Sequence, residues 1–134
     1  MRVALVALLL AGCTRTSDGV CDEDPECESG QVCARGDHLC VDPSEVRTTR
    51  TEWTINGQPP DAGNCGGLTL YIQFLSNSDQ DDFGFSPVPC EIGLFSVDNL
   101  PVRYRSVEVG VQGGSENDRS AFDDEGNALL DLIL

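Results

Sequence analysis

Residues 68–75, Leu68-Thr69-Leu70-Tyr71-Ile72-Gln73-Phe74-Leu75, carry the clearest pattern in the chain. Apolar and polar side chains alternate along this stretch, which is typical of a β-strand with one face in a core and the other in water. The expected inward face consists of Leu68, Leu70, Ile72 and Phe74. The stretch therefore predicts a sheet with one buried side, and the neighbouring segments must supply its partners.

The segments around this strand also favour β structure. Residues 47–55 are rich in β-branched residues and predict a half-buried strand. Further strands are expected at 90–97 and 103–112, while 86–89 should be an extended edge because prolines cannot donate to a sheet ladder. Residues 128–134 favour a last strand, with one helical turn as the alternative. The inward sets are Thr49, Thr51, Trp53 and Ile55 on the 47–55 strand, and Val107, Val109 and Val111 on the 103–112 strand.

About six or seven short strands at these spacings predict a mainly β protein built as a small β-sandwich. Residues 50–112 resemble the immunoglobulin- or transthyretin-like domains of bacterial surface lipoproteins. The resemblance rests on Trp53-Thr54-Ile55-Asn56-Gly57, on Cys65 in the following loop, on Pro89-Cys90, and on Leu100-Pro101 before a Val-alternating strand. It implies a fold and no function, because sandwiches host many unrelated functions. A disulfide between Cys65 and Cys90 is expected, with Trp53 packed near it.

A cysteine-rich segment precedes the predicted sandwich. Cys21, Cys27, Cys33 and Cys40 fall within twenty residues that contain few apolar side chains, so the segment depends on cross-links and not on a core. Three pairings are possible. We favour Cys21–Cys33 with Cys27–Cys40, because this interleaved pattern compacts the segment better than two sequential loops. The segment resembles the short Cys-rich modules that follow the lipid anchor of many surface lipoproteins.

Zinc binding is the competing interpretation of these cysteines, with His38 as a further ligand. Structural zinc sites usually use Cys-x₂₋₄-Cys pairs, and this segment has none. We therefore expect disulfides and no metal site, with His38 a solvated loop residue.

The first thirteen residues predict export. Arg2 and the free amine precede an apolar run that is too short to span a bilayer, as in a signal peptide. The run ends in Leu10-Ala11-Gly12-Cys13, which resembles the lipobox of bacterial lipoproteins. That resemblance implies lipid transfer to the Cys13 thiol, cleavage before Cys13 and acylation of the new amine. An ordinary secretory signal with a chance cysteine is the alternative.

The cysteine count agrees with lipid attachment. Seven cysteines are present, and removing Cys13 leaves an even set suited to three disulfides in an oxidising compartment. Thr14 stands where an Asp would favour inner-membrane retention, so the resemblance implies the outer membrane. The expected organisation is a signal peptide over 1–12, a lipidated tether over 13–20, a Cys-rich module over 21–42 and the sandwich over 43–134.

Charge limits the partners. The chain has 23 acidic residues against 8 basic ones and a formal net charge of −15. Such a chain lacks the basic patch that nucleic acids and anionic lipid headgroups require. The acidic runs at 79–82 and 123–125 do not fit a calcium loop, because the twelfth position of a loop that starts at Asp79 is Cys90 and not Glu. No calcium site is expected.

No catalytic arrangement is expected either. The single histidine lies among the predicted disulfides, and the chain contains no phosphate loop, nucleophile elbow or zinc-protease motif. A pair of carboxylates could in principle hydrolyse a glycoside, but 23 acids always offer chance pairs. The sequence favours a non-catalytic, lipid-anchored binding or adhesion module without a cofactor, whose ligand is an envelope or extracellular protein or glycan. The alternatives are a structural or assembly accessory protein of the envelope, and a small hydrolase or inhibitor.

Overall fold

A computed structural model describes residues 19–78 and 83–134 of the chain. Within them the protein is mainly β, with nine strands in three sheets. A hairpin of two short strands lies N-terminal to a three-stranded sheet, ordered β6-β3-β9, and a four-stranded sheet, ordered β5-β4-β7-β8. The strands are β1 (Val32–Ala34), β2 (Leu39–Val41), β3 (Val46–Ile55), β4 (Thr69–Leu75), β5 (Phe83–Pro89), β6 (Leu94–Pro101), β7 (Ser106–Val111), β8 (Asn117–Ala121) and β9 (Asn127–Leu132).

The two larger sheets form a sandwich around one apolar core, which confirms the predicted fold class. In the first sheet β3 is central, antiparallel to β6 and parallel to β9. In the second sheet β4 and β7 are central, and all pairs are antiparallel. The core takes side chains from both sheets, the largest of which are Trp53, Phe74, Ile55, Leu70, Ile72, Leu100, Leu130 and Leu132.

The predicted inward faces are confirmed with one exception. Thr49, Thr51, Trp53 and Ile55 are all buried, and so are the alternating valines of β7. In β4 the buried residues are Leu70, Ile72 and Phe74, whereas Leu68 is 36% exposed. Leu68 precedes the strand and donates its N–H to the carbonyl of Cys65, so it belongs to a turn and not to the sheet ladder.

Two strand predictions began too early. Residues Cys90–Ile92 form a 3₁₀ turn that ends at Gly93 with φ of 64°, a conformation that glycine adopts without strain, and β6 starts only at Leu94. Residues 103–105 lie outside β7 because the N–H of Tyr104 donates to the carbonyl of Pro101 and closes a turn. The C-terminal segment is a strand, β9, and not a helical turn.

Several elements within the described residues were not predicted. Strand β8, with the sequence Asn-Asp-Arg-Ser-Ala, has no apolar alternation and is held by its backbone pairing to β7. A one-turn helix, α1 (Ala62–Cys65), is capped by the side chain of Asp61. The hairpin of β1 and β2 lies within the Cys-rich segment, where short strands without a core are difficult to recognise.

An aromatic cluster fills the end of the sandwich nearest the Cys-rich hairpin. Phe74 is at its centre, with ring centroids of four other aromatic residues between 5.7 and 6.5 Å away. These residues are Phe83, Phe85, Tyr104 and Phe122. No helix in residues 19–78 and 83–134 has the length and apolarity needed to cross a bilayer.

Candidate functional site

Part of the predicted organisation lies outside the described residues. This holds for the signal peptide, for Cys13 with most of the tether, and for the acidic run at 79–82.

The six remaining cysteines form three disulfides. The Cys-rich segment has the interleaved pairing, Cys21–Cys33 and Cys27–Cys40, with Cα atoms 5.8 and 5.5 Å apart. The third bond joins Cys65 at the end of α1 to Cys90 at the start of the 3₁₀ turn, and both residues are buried. Trp53 lies beside this bond, since its indole N–H donates to the Cys90 carbonyl over 2.9 Å. These bonds brace the fold and leave no thiol among the described cysteines.

The groups considered as metal ligands have partners within the protein. The sulfur atoms of Cys21, Cys27 and Cys40 gather within 4.8 Å, but all three are in disulfides and are not thiolate ligands. The Nδ1 atom of His38 lies 3.1 Å from Oδ1 of Asp22, and the imidazole is 60% exposed. The arrangement is that of a solvated loop.

Two acidic side chains serve as acceptors for turns. Asp123 accepts the backbone N–H of Asn127 over 2.8 Å and that of Glu125 over 2.9 Å, and these bonds hold its pKa below the usual value. The pKa of Asp131 is lowered by the hydroxyl of Thr54 and then by the N–H of Gly57. Both carboxylates therefore stabilise local structure in their charged form.

The Cys-rich segment is docked on one end of the sandwich. The guanidinium of Arg103 makes two bonds of 2.6 Å to the carboxylate of Asp37, and it also lies over the ring of Tyr104 at 4.6 Å. A backbone bond joins Arg35 to the Asn99 carbonyl over 2.8 Å. Because each contact joins residues distant in sequence, the segment is held in one orientation and does not hang from the chain.

The opposite end of the sandwich carries the Cys65–Cys90 bond. Strand β3 leaves the docked segment at Val46 and reaches this disulfide end at Ile55, where Asn56 and Gly57 form a tight turn with positive φ. Leu68 and Ile92 are exposed here, and a mainly apolar hollow of about 270 Å³ lies between residues 67–69 and 87–91. The Cys-rich segment thus lies at one end of the sandwich, and exposed apolar side chains lie at the opposite, disulfide end.

The outer face of the four-stranded sheet has a different character. At its centre, Tyr71 of β4 pairs directly with Gly110 of β7. A methyl group placed at Gly110 would lie 2.5 Å from the outer ring atoms of Tyr71, so the ring lies across the glycine backbone. An aromatic ring that covers a cross-strand glycine packs one side on the sheet and turns the other toward solvent. We call this surface the Tyr71 face.

A hydrogen-bonded set holds the Tyr71 ring in place. Its hydroxyl donates to Oε1 of Glu108 over 2.8 Å, and Arg119 donates to Oε2 of the same carboxylate over 2.9 Å. Partial burial, and then the bond to Glu108 and its charge, raise the pKa of Tyr71. The phenol is therefore kept protonated, and the bond to Glu108 holds the hydroxyl end of the ring over Gly110.

The Tyr71 face carries no net charge. The outward strand residues are neutral except for Glu108 and Arg119, which face each other across β7 and β8 and neutralise one another. Its neutral polar groups include Gln73, Ser86, and Thr69, whose hydroxyl bonds to the Gln112 amide over 3.1 Å. A shallow hollow of about 440 Å³ lies over Tyr71, Gln73, Gly84 and Ser86. In a chain with a net charge of −15, such a surface is distinct.

The Tyr71 face was not predicted from the sequence, because only the apolar residues of the alternating β4 pattern were interpreted. The polar half, which includes Tyr71 and Gln73, was a usable signal, but the pairing with Gly110 and Glu108 needs the strand register. No family model, curated protein or solved structure matches the chain.

Proposed function

We propose that the protein is a non-catalytic binding module of the bacterial cell envelope, exported and anchored through lipid on Cys13, with the outer membrane as its location. The observation that supports this most directly is the docking of the Cys-rich segment on one end of the sandwich through Arg103 and Asp37. A chain tethered at that end leaves the Tyr71 face and the disulfide end accessible to a ligand.

The surface of the described sandwich suits binding better than catalysis. The single histidine of the chain is paired with Asp22 in the docked segment, so it is not placed as a base beside a serine or cysteine. The Tyr71 face instead offers a ring held by Glu108 and several hydrogen-bonding side chains on a shallow, open surface. These are features of recognition, and the ligand expected from them is an envelope or extracellular protein or glycan.

The alternative, a structural or assembly accessory protein of the envelope, is favoured by the disulfide end. There, Leu68 and Ile92 are exposed beside the apolar hollow, and protein contacts are typically built around such side chains.

Lipid attachment is tested by Cys13→Ser in the native host. Only the thiol can accept the lipid, so the variant should lose labelling by a metabolic fatty-acid probe and leave the membrane fraction. Thr14→Ser, which keeps the thiol, is the matched control. Undiminished labelling of the Cys13 variant would refute the anchored form of the proposal.

Capture of partners from envelope extracts separates the two functions. Full-length protein would be compared with Tyr71→Ala and Ile92→Ser variants. Loss of a specific partner with Tyr71→Ala supports a binding module that acts through the Tyr71 face. Loss only with Ile92→Ser supports the accessory function, in which the disulfide end contacts another protein.

A further inference from the structure

We infer that the Tyr71 face binds a neutral glycan, with the sugar stacked on the Tyr71 ring. The inference rests on the proposed binding function and names its ligand class. It concerns the outer surface of β4, β5, β7 and β8 and uses neither the disulfide end nor the docked segment.

The position of the Tyr71 ring favours stacking of a sugar. Because the outer ring atoms of Tyr71 lie over Gly110, the ring covers the backbone there and serves as a platform on the outer surface of the sheet. The face of a pyranose ring is lined by C–H groups and packs well on such a platform, whereas its hydroxyls point outward around the rim. An aromatic ring fixed at its hydroxyl by Glu108 loses little freedom when the sugar binds.

The hydrogen-bonding side chains around the Tyr71 ring also suit a sugar. A sugar hydroxyl both donates and accepts, so its site needs donors and acceptors at short range. Gln73 and Ser86 line the hollow beside Tyr71, and Arg119 lies beyond the ring on β8 with a side chain that is 60% exposed. An amide, a hydroxyl and a guanidinium therefore lie around the ring.

The charge of the Tyr71 face favours a neutral sugar over an anionic one. The face is neutral, since the carboxylate of Glu108 is matched by Arg119, while the rest of the protein is strongly acidic. A phosphorylated, sulfated or uronic-acid polymer would be repelled over the whole approach. The charge distribution therefore selects neutral sugars.

The surface around the Tyr71 ring is accessible to a ligand. Gly84 and Gly110 pair directly with Gln73 and Tyr71 on the neighbouring strands, so these two positions carry no side chain. At Gly84 any side chain would collide with the carbonyl oxygen of Ile72, so only glycine fits at this position. The surface over Tyr71, Gln73, Gly84 and Ser86 is shallow and open, so an extended ligand such as an internal segment of a glycan can reach it.

The test is isothermal titration calorimetry with the detergent-solubilised full chain. The probes are neutral hexasaccharides of glucose, mannose and N-acetylglucosamine, and an alginate hexasaccharide as the anionic comparison. We expect saturable binding of at least one neutral probe with a Kd below about 1 mM, and none of alginate. Tyr71→Ala should weaken that binding about tenfold or more, whereas Tyr71→Phe, which keeps the ring, should retain most of it.

Two further variants control for folding. Gly110→Ala displaces the ring without removing it and should also weaken binding, and Leu129→Ala on the opposite sheet should leave affinity within about twofold. Thermal melting of each variant shows whether the fold is kept.

The inference is overturned if no neutral probe binds, or if one binds equally well to folded Tyr71→Ala. Should no glycan bind while Tyr71→Ala still abolishes capture of an envelope protein, the binding function stands and the glycan inference fails. Should both assays be unaffected by Tyr71→Ala, the Tyr71 face fails as the binding surface as well.

Discussion

Replacing Thr51 with valine should make the protein more stable. Thr51 lies on the inner face of β3, is 1% exposed, and its hydroxyl has no hydrogen-bond partner among the described residues. Thr49, two residues earlier on the same face, has the same properties. Valine has nearly the same shape and the same preference for strands, so the substitution removes an unpartnered hydroxyl without opening a cavity.

The magnitude follows from the cost of that hydroxyl. Burying an unpartnered hydroxyl costs about 1–3 kcal/mol on mutational data. Thr51→Val should therefore raise the free energy of unfolding by about 1 kcal/mol, which corresponds to a rise in Tm of roughly 4–8 °C for a domain of this size. Thr49→Val should act in the same direction.

Thr54→Val on the same strand provides the matched control. Thr54 points to the other side of the sheet and its hydroxyl donates to Oδ1 of Asp131 over 2.7 Å. The same chemical change should therefore lower the free energy of unfolding there, by about 1 kcal/mol. Guanidinium unfolding followed by the fluorescence of Trp53 measures both. If Thr51→Val is destabilising like Thr54→Val, the Thr51 hydroxyl has a partner in solution and the reasoning is refuted.

Three further predictions concern the bonds that connect distant parts of the fold. Replacing Cys65 and Cys90 together with alanine should lower the free energy of unfolding by about 3.5 kcal/mol, as loop closure over a separation of 25 residues implies, measured by chemical unfolding without reductant. A double-mutant cycle with Arg103→Ala and Asp37→Ala should give a coupling of about 1 kcal/mol, and additive losses would contradict the docking contact. Asp131, whose pKa is lowered by folding, stabilises the protein above its unfolded value of 3.8 and loses that contribution as pH falls through the folded pKa. Asp131→Asn should therefore be less stable than the parent protein at pH 7, and the gap in Tm should close in acid.

Much of the sandwich could be predicted because its information is local. The alternation in β3, β4 and β7 depends on side chains two residues apart, and burial follows from that period alone. Asn56-Gly57 predicted its turn because both residues tolerate the positive φ that the structure gives them. The interleaved disulfide pairing could also be predicted, because it depends on the spacing of four cysteines within one short segment.

The features that position the candidate site are non-local. Strand β8 has a polar sequence and becomes a strand only because β7 offers it a partner, so no period within the segment marks it. Tyr71 and Glu108 are 37 residues apart, and Asp37 and Arg103 are 66 apart. Contacts at such separations depend on register and on the packing of the two units, and a single sequence does not specify either.

The distribution of charge links the overall composition of the chain to the geometry of the Tyr71 face. A chain with a net charge of −15 gains solubility from its acids but is repelled by any anionic surface. A ligand can approach without that penalty only where the acids are absent or matched, and on the four-stranded sheet Arg119 matches the one outward carboxylate, Glu108. Arg119 has no core contact to explain its position, since its side chain is 60% exposed. Its bond to Glu108 makes the surface neutral and braces the carboxylate that holds Tyr71, so that one ion pair supplies both the charge and the geometry of the proposed binding face.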